Sequence, residues 1–275
     1  MNKPVLDANV EVHTRMVERY EAEEPHFRPE NQDKVRGRLK ALRARVPGGK
    51  LLDVGCGTGF IIHLAVGLFD EIHGVDITPA MMQRVKTDQG NITLHQSTAE
   101  AMPFADASFD AVTAYSFVDH VADQAALLRE VARVLRPGGV FYADLVPSRL
   151  FWAALSGLPA EDERQLSDIV RREATMVREN DKKAERLFGI PAELFRRAEP
   201  GKESGGVDPA AFRETALRCG FARCEVSFDW FLGQGAVMHG QSLADAAVVE
   251  AYLRRVAPLG DHLFKYLYFH AVKAA

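Results

Sequence analysis

The sequence predicts an α/β fold: a seven-stranded, mostly parallel sheet with helices on both faces and a helical cap inserted after strand five. Three observations predict it. Short apolar runs at 51–54, 72–76, 92–95, 109–115 and 140–146 alternate with helical stretches near 59–68, 79–88 and 123–135. That alternation implies right-handed βαβ crossovers and therefore parallel strands. Two further strand runs, 223–232 and 265–272, flank a helix near 243–256. Between the two sets lies a charged tract, 161–200, which is too long for an ordinary loop.

Upstream of the first strand, a helix is expected through Val12 to Tyr20, ending near Glu23-Glu24-Pro25. Val35, Leu39, Leu42 and Val46 recur at three- and four-residue spacing with Arg and Lys between them, the stripe of an amphipathic helix. Asn31 reads as its N-cap and Pro47-Gly48-Gly49 as its terminator. Within 161–200, Leu166, Ile169 and Val170 keep helical spacing among Glu, Arg, Asp and Lys, as on a solvated helix face. Gly201 to Gly206 reads as a mobile linker, and Pro209 to Cys219 as a helix stopped by Gly220. Four segments follow: an N-terminal helical segment, 1–49, a candidate cover for a ligand site; an α/β core, 50–147; a helical cap, 148–206; and the completion of the core, 207–275.

The 275 residues are 47% hydrophobic, enough to bury a full core. Lys+Arg 34 against Asp+Glu 38 leaves a net charge of -4, which offers no global attraction for nucleic acid or an anionic membrane. No apolar run approaches the roughly 18 residues of a membrane span. The N-terminal MNKPVLDANVEVH lacks the apolar region of a signal peptide. Cys56, Cys219 and Cys224 are odd in number and without CxxC spacing, against both a disulfide framework and a zinc site. The expectation is a cytoplasmic protein with reduced cysteines, no metal, and no nucleic-acid or membrane partner. The oligomeric state stays open.

LLDVGCGTGF, residues 51–60, sets a strand, a glycine turn and a helix in succession. That order makes a small-molecule site at the carboxyl edge of a Rossmann-like sheet. Gly55, Gly57 and Gly59 allow positive φ and close approach of a ligand, and the helix start offers unpaired N–H donors. Asp53 sharpens the reading. An acid ahead of the first glycine would repel a pyrophosphate and suits a ligand with cationic or donor groups instead. Asp76, closing the second strand in EIHGVDIT, can accept both hydroxyl protons of a ribose. Asp53 and the Gly55-x-Gly57-x-Gly59 spacing depart from the G-x-G-x-x-G turn of an NAD-dependent oxidoreductase, which stands as a distant alternative.

With these residues in place, the sequence resembles the class I S-adenosylmethionine-dependent methyltransferases. LLDVGCGTGF resembles their glycine signature and GVDITPAMM their acidic loop. STAEAMPFADASFDAVTAYSFVDHV is similar to their third and fourth strand region, and LLREVARVLRPGGVFYAD to their fourth helix and fifth strand. The resemblance is close over residues 50 to 146 and loose elsewhere. It implies S-adenosyl-L-methionine as cofactor, with Asp53 and the Gly55 backbone facing the methionine moiety, Gly57 and Gly59 letting the chain pass close, and Asp76 holding the ribose hydroxyls. It implies Ile77 and Met81 against adenine, and Thr98, Ala99 and Glu100 along the adenine edge. Where the family often has Asp, Thr98 offers a hydroxyl that can also accept. Cys56 within the turn and Ser116 after the fourth strand complete the cofactor-facing set.

Methyl transfer from a sulfonium is an in-line displacement, and the protein supplies alignment and exclusion of water. A base is needed only when the nucleophile arrives protonated. The candidate catalytic residues are His120 and Tyr115, beside Asp119 and Asp144. His120 can serve as base because imidazole titrates near neutrality, or it can simply bond a loop. Tyr20, Phe27 and Arg28 are candidate cover residues. Trp230, Phe231, Gln234, Lys265, Tyr266 and Tyr268 read as sheet core rather than pocket wall. The leading reading is an enzyme that methylates a small-molecule acceptor. The alternatives are a cyclase that turns the cofactor on itself, for example to azetidine-2-carboxylate, a lyase releasing 5'-methylthioadenosine, and a non-catalytic cofactor-binding regulator.

Overall fold

Strands form where the apolar runs lie: β1 (Lys50–Val54), β2 (Glu71–Asp76), β3 (Ile92–Gln96), β4 (Phe109–Tyr115), β5 (Leu135–Pro147), β6 (Phe221–Phe231) and β7 (Phe264–Lys273). The computed structural model describes residues 3–156, 175 and 180–275. The strand order is β3-β2-β1-β4-β5-β7-β6. Pairing is parallel from β3 through β5, and β7 runs antiparallel to both β5 and β6. Because the order turns between β1 and β4, the ligand crevice of such a sheet falls outside the carboxyl ends of those two strands.

Successive side chains of the central strands are buried on alternate faces of the sheet. Leu52 and Val54 join one apolar cluster with Val112, Leu128, Phe141 and Phe269, whereas Leu51 joins the other with Leu39, Ile61, Ala111 and Tyr142. A parallel strand covered on both faces is apolar throughout, and within the buried stretch Leu51–Val54 of β1 only Asp53 departs from that rule. Helices α1 (Lys3–Met16), α2 (Tyr20–Glu23), α3 (Pro29–Arg43), α4 (Phe60–Ala65), α5 (Pro79–Met82), α6 (Gln124–Val134) and α7 (Arg149–Ser156) precede the later helical segments. The N-cap of α6 is Asp123, whose carboxylate accepts from Ala126 N–H at 2.9 Å. Among the described residues, no helix is long and apolar enough to cross a membrane.

Four expectations are corrected. The first helix starts at Lys3 and stops at Met16, because the stripe Val5-Ala8-Val12-Met16 is what buries. Ala8, Val12 and Met16 pack with Ile190, Phe195 and Ala198. Asn31 lies inside α3: Arg28 is the N-cap and Pro29 opens the helix, where its fixed φ fits. The Asn31 amide instead donates to the Pro25 carbonyl at 2.6 Å. The stretch 79–88 yields only the short α5. Finally, 201–206 is a packed segment that begins in the short helix Pro200–Glu203. A Cβ on Gly201 would lie 2.6 Å from Asp119 Cα, and Gly206 N–H donates to the Gly201 carbonyl at 2.7 Å. Leu166, Ile169 and Val170 lie outside the described residues.

Candidate functional site

At the turn in strand order, the carboxyl ends enclose a cavity of about 1020 Å³ including its open mouth. The turn after β1 is its floor. Gly55, Gly57 and Gly59 take φ of 70°, 51° and 90°, which residues with side chains rarely adopt. Their vacant side-chain positions differ. A Cβ on Gly55 would lie 2.0 Å from the Phe117 ring, and one on Gly59 would lie 3.0 Å from both His63 and Val85. A Cβ on Gly57 would meet only the Met81 methyl, at 3.7 Å. Gly57 is thus the position where a missing side chain opens the cavity. Gly55 and Cys56 also line it, but Gly59 does not and instead caps α4, contrary to its expected place.

Two acids flank this turn. Asp53 is 2% exposed, and its Oδ1 accepts from the Thr113 hydroxyl at 2.7 Å. Burial pushes its pKa up to about 8, opposed by the Thr113 hydrogen bond and helped by Asp76. The empty site therefore keeps Asp53 protonated at neutral pH, and an arriving cation would favour its ionisation. Asp76 ends β2 with both oxygens on backbone donors, Oδ1 from Thr78 N–H at 2.8 Å and Oδ2 from Gly57 N–H at 2.9 Å. Each oxygen keeps a second lone pair, so the turn orients this carboxylate without exhausting it.

Ile77, Met81, Ala99 and Glu100 continue the wall beyond Asp76. Thr98 is off the wall, and Ser97 stands there instead. The Thr98 carbonyl closes a local turn with Ala101 N–H at 3.4 Å. Burial raises the Cys56 thiol pKa, which leaves it a filler of the turn rather than a nucleophile.

On the opposite side, β4 closes with Tyr115 and Ser116. Ser116 has φ 50°, and β5 and β6 break in the same way at Leu145 (55°) and Trp230 (58°). Such residues cost roughly 1–3 kcal/mol each. Asp144 and Asp229 hold the latter two turns by accepting from Leu145 N–H at 2.7 Å and Trp230 N–H at 3.0 Å. Arg38 of α3 binds both carboxylates at 2.7 Å each, and Lys34 reaches Asp229 at 2.5 Å. Asp144, a candidate for an acceptor pocket, is committed to this network and lies off the wall. Burial raises the Tyr115 phenol pKa, so Tyr115 can donate a hydrogen bond at neutral pH but cannot serve as base.

The roof comes from upstream. Val5, Leu6, Asn9 and His13 of α1 line the cavity with Tyr20, His26 and Phe27, whereas Arg28 does not. His120 lines it too, in the turn Val118–His120. Its Nδ1 lies 2.9 Å from Asn9 Oδ1 and 3.0 Å from the Ala198 carbonyl. Asn9 Nδ2 donates to the Val5 carbonyl at 3.0 Å, which leaves Oδ1 as acceptor. Both partners accept, so Nδ1 carries the proton and His120 ties α1 to the helix Ala192–Ala198. Ligand atoms of Asp119, His120 and Glu199 lie within 4.8 Å of one another. Lys202 Nζ already stands there, 3.6 Å from Asp119 and 2.7 Å from Glu199. Burial opposes its charge, but the two carboxylates outweigh burial and its pKa rises. That cluster already holds a cation.

Trp230, Phe231, Gln234, Lys265, Tyr266 and Tyr268 are off the cavity wall among the described residues. Gln234 accepts from Phe231 N–H at 3.1 Å, and the Arg38 guanidinium lies 4.0 Å above the Tyr268 ring. Sequence reading missed Asn9, His13 and His26 on the wall. The stripe of α1 was a usable signal for the first two. His26, in a three-residue turn between Pro25 and Pro29, belongs to no periodic pattern.

Residues 52–143 match the family described as methyltransferase domain. The α/β core is a class I S-adenosylmethionine-dependent methyltransferase domain. This domain is 31% identical over 107 residues to the ubiquinone biosynthesis O-methyltransferase of Xanthomonas campestris, covering 37% of this chain and 45% of that protein. It is 36% identical over 142 residues to the 27-O-demethylrifamycin SV methyltransferase of Amycolatopsis mediterranei, covering 48% of each. The match spans about half the length of these curated relatives. The methyltransferase fold is shared with the YcgJ protein from Bacillus subtilis at a TM-score of 0.54 and 18% identity, covering 88% of this chain and 99% of that one.

The cofactor of this methyltransferase domain is S-adenosyl-L-methionine, and the cavity suits it on three counts. Gly57 leaves a cradle that a Cβ would fill, Asp76 is held at the end of β2, and the buried acid Asp53 lines the same cavity.

Proposed function

We propose that this chain transfers a methyl group from S-adenosyl-L-methionine to an oxygen of a small-molecule acceptor. The observation that carries this reading is the division of the cavity wall, with acids and open main chain at the ends of β1 and β2, and rings towards the end of β4. The bound cofactor supplies an electrophilic methyl group on a sulfonium. Asp53 would take its ammonium, the main chain at Gly55 and Gly57 would pass beside it, and Asp76 would accept from the ribose hydroxyls. Ile77 and Met81 would pack on adenine, with Ala99 and Glu100 at its edge.

The protein's further contribution is alignment and exclusion of water. Residues 1–49 act as the cover through α1, Tyr20 and Phe27. The described parts of 148–206 brace that cover, since Phe195 and Ala198 pack on α1. Two relatives named for O-methylation of small molecules support an oxygen acceptor of that size. Three free cysteines go with a reducing, cytoplasmic setting.

Incubation with cofactor and a panel of hydroxylated aromatic compounds, resolved by chromatography, should yield S-adenosylhomocysteine only when an acceptor is present. Accumulation of 5'-methylthioadenosine from cofactor alone would overturn the proposal in favour of self-reacting chemistry.

A further inference from the structure

Resting on the methyl-transfer reading, we propose that His26 takes the acceptor's proton, that Glu24 positions the imidazole, and that the acceptor is a hydroxyl-bearing aromatic ring. His26 is 5% exposed and stands on the cavity wall. Its ring centroid lies 4.6 Å from Phe27, 4.9 Å from Phe60 and 5.5 Å from Tyr115, edge-on to the last two. These rings arrive from the Pro25–Phe27 turn, the start of α4 and the end of β4. They meet beside the β1 and β4 ends, where His26 is the imidazole set among the Phe27, Phe60 and Tyr115 rings. Such a lining selects a planar apolar ligand with one polar group to present.

The imidazole is unusually placed. Its Nδ1 is buried without a hydrogen-bond partner, and the nearest carboxylate oxygen, Glu24 Oε2, is 3.8 Å away. That is beyond hydrogen-bond range, and an unpaired buried nitrogen is costly. Pairs of base and orienting carboxylate are often loose in an empty site and tighten when substrate is bound. A small approach of Glu24 would fix the proton on Nδ1 and leave Nε2 as the basic atom. Among the described residues, Glu24 from the preceding residues, Tyr20 from α2 and Tyr115 from β4 are the titratable groups in ion-pair or ring contact with His26, and Glu24 is the carboxylate among them. Burial holds the imidazole pKa down to about 4, so the ring is neutral and able to accept at neutral pH. In the step itself, the acceptor O–H bond breaks, its electron pair stays on the oxygen that becomes the nucleophile, and the proton goes to Nε2. His120 stands apart from this ring cluster: its imidazole packs on His13, and its Nδ1 proton is shared by Asn9 and the Ala198 carbonyl.

The test follows the histidine ring nitrogens by NMR in cofactor-free, ¹⁵N-histidine-labelled protein, adding catechol or anisole. Catechol should shift the His26 nitrogens, whereas anisole, a similar ring without an O–H donor, should not. His26→Gln should remove the catechol response, keep S-adenosylhomocysteine affinity by calorimetry, and lower catechol methylation at least about 100-fold. Glu24→Gln should lower turnover less and displace the pH–rate profile. Equal shifts from both probes, no shift from either, or wild-type turnover by His26→Gln would each overturn the proposal. The NMR response does not depend on turnover, so 5'-methylthioadenosine release by the wild type would sink the methyl-transfer reading separately.

Discussion

A carboxylic acid that keeps its proton at neutral pH, as Asp53 does, makes folding and cation binding pull in opposite directions. Its pKa is about 8 in the folded chain, against roughly 3.9 when unfolded. Between those values the folded state holds a proton that the unfolded state has lost. Stability is therefore full below about pH 4 and falls as pH rises towards 8, by at most roughly 1.4 kcal/mol per pH unit. Asp53→Asn should remove that slope: thermal unfolding should show the variant more stable than wild type at pH 7.5 and equal to it near pH 4. The same variant should bind cofactor more weakly. An unchanged slope would mean that Asp53 is ionised in the empty site. The glycines divide similarly. Gly57→Val should fold yet lose stabilisation by cofactor, since its side chain enters the cavity. Gly55→Ala should destabilise the empty protein, because its Cβ meets the Phe117 ring. Equal cofactor stabilisation of Gly57→Val and wild type would make that turn purely structural. Asp53 and Asp76 were legible in the sequence because an acid at the end of an apolar run has few structural reasons to be there. Which glycine faces the ligand was not legible, since that depends on Phe117, His63 and Val85 arriving from elsewhere.

At the scale of elements, α3 is fastened to the sheet by charge as well as by its apolar stripe. Arg38 bridges Asp144 on β5 and Asp229 on β6, both almost fully buried. Burial alone would raise the Asp229 carboxyl pKa, yet Arg38 and Lys34 bring it below the usual range. Its contribution is present at neutral pH and is lost as pH falls through that lowered pKa. Arg38→Met would leave Asp144 buried without its arginine, and breaking a buried pair costs about 3–5 kcal/mol. Denaturant unfolding at pH 7 should show that loss; a wild-type midpoint would mean that the network is idle. The strand and helix alternation behind this arrangement could be read directly, because period and turn residues are local signals. The bridge could not, since it joins residues 34, 38, 144 and 229 across three elements. The start of α1 was misplaced for a different reason: its stripe buries against Phe195 and Ala198, a partner that local pattern does not reveal.

For the whole molecule, the sheet supplies a floor of fixed acids and open main chain, and the upstream residues supply a roof that is braced from beyond β5. α1 and the Pro25–Phe27 turn come before the core, while Ala198 and Lys202 come after β5, and His120 joins them. A site closed in this way suits a reaction that needs alignment more than a strong acid or base. Methyl transfer from the cofactor to an acceptor oxygen is the proposal on which the roles of these residues depend. The most direct measurement follows a ¹³C-labelled methyl group from S-adenosyl-L-methionine by mass spectrometry and NMR, with catechol as acceptor. The label is expected on a catechol oxygen, with one S-adenosylhomocysteine formed for each methyl group moved. Label retained in 5'-methylthioadenosine, or left in unreacted cofactor with every hydroxylated aromatic compound tried, would contradict it.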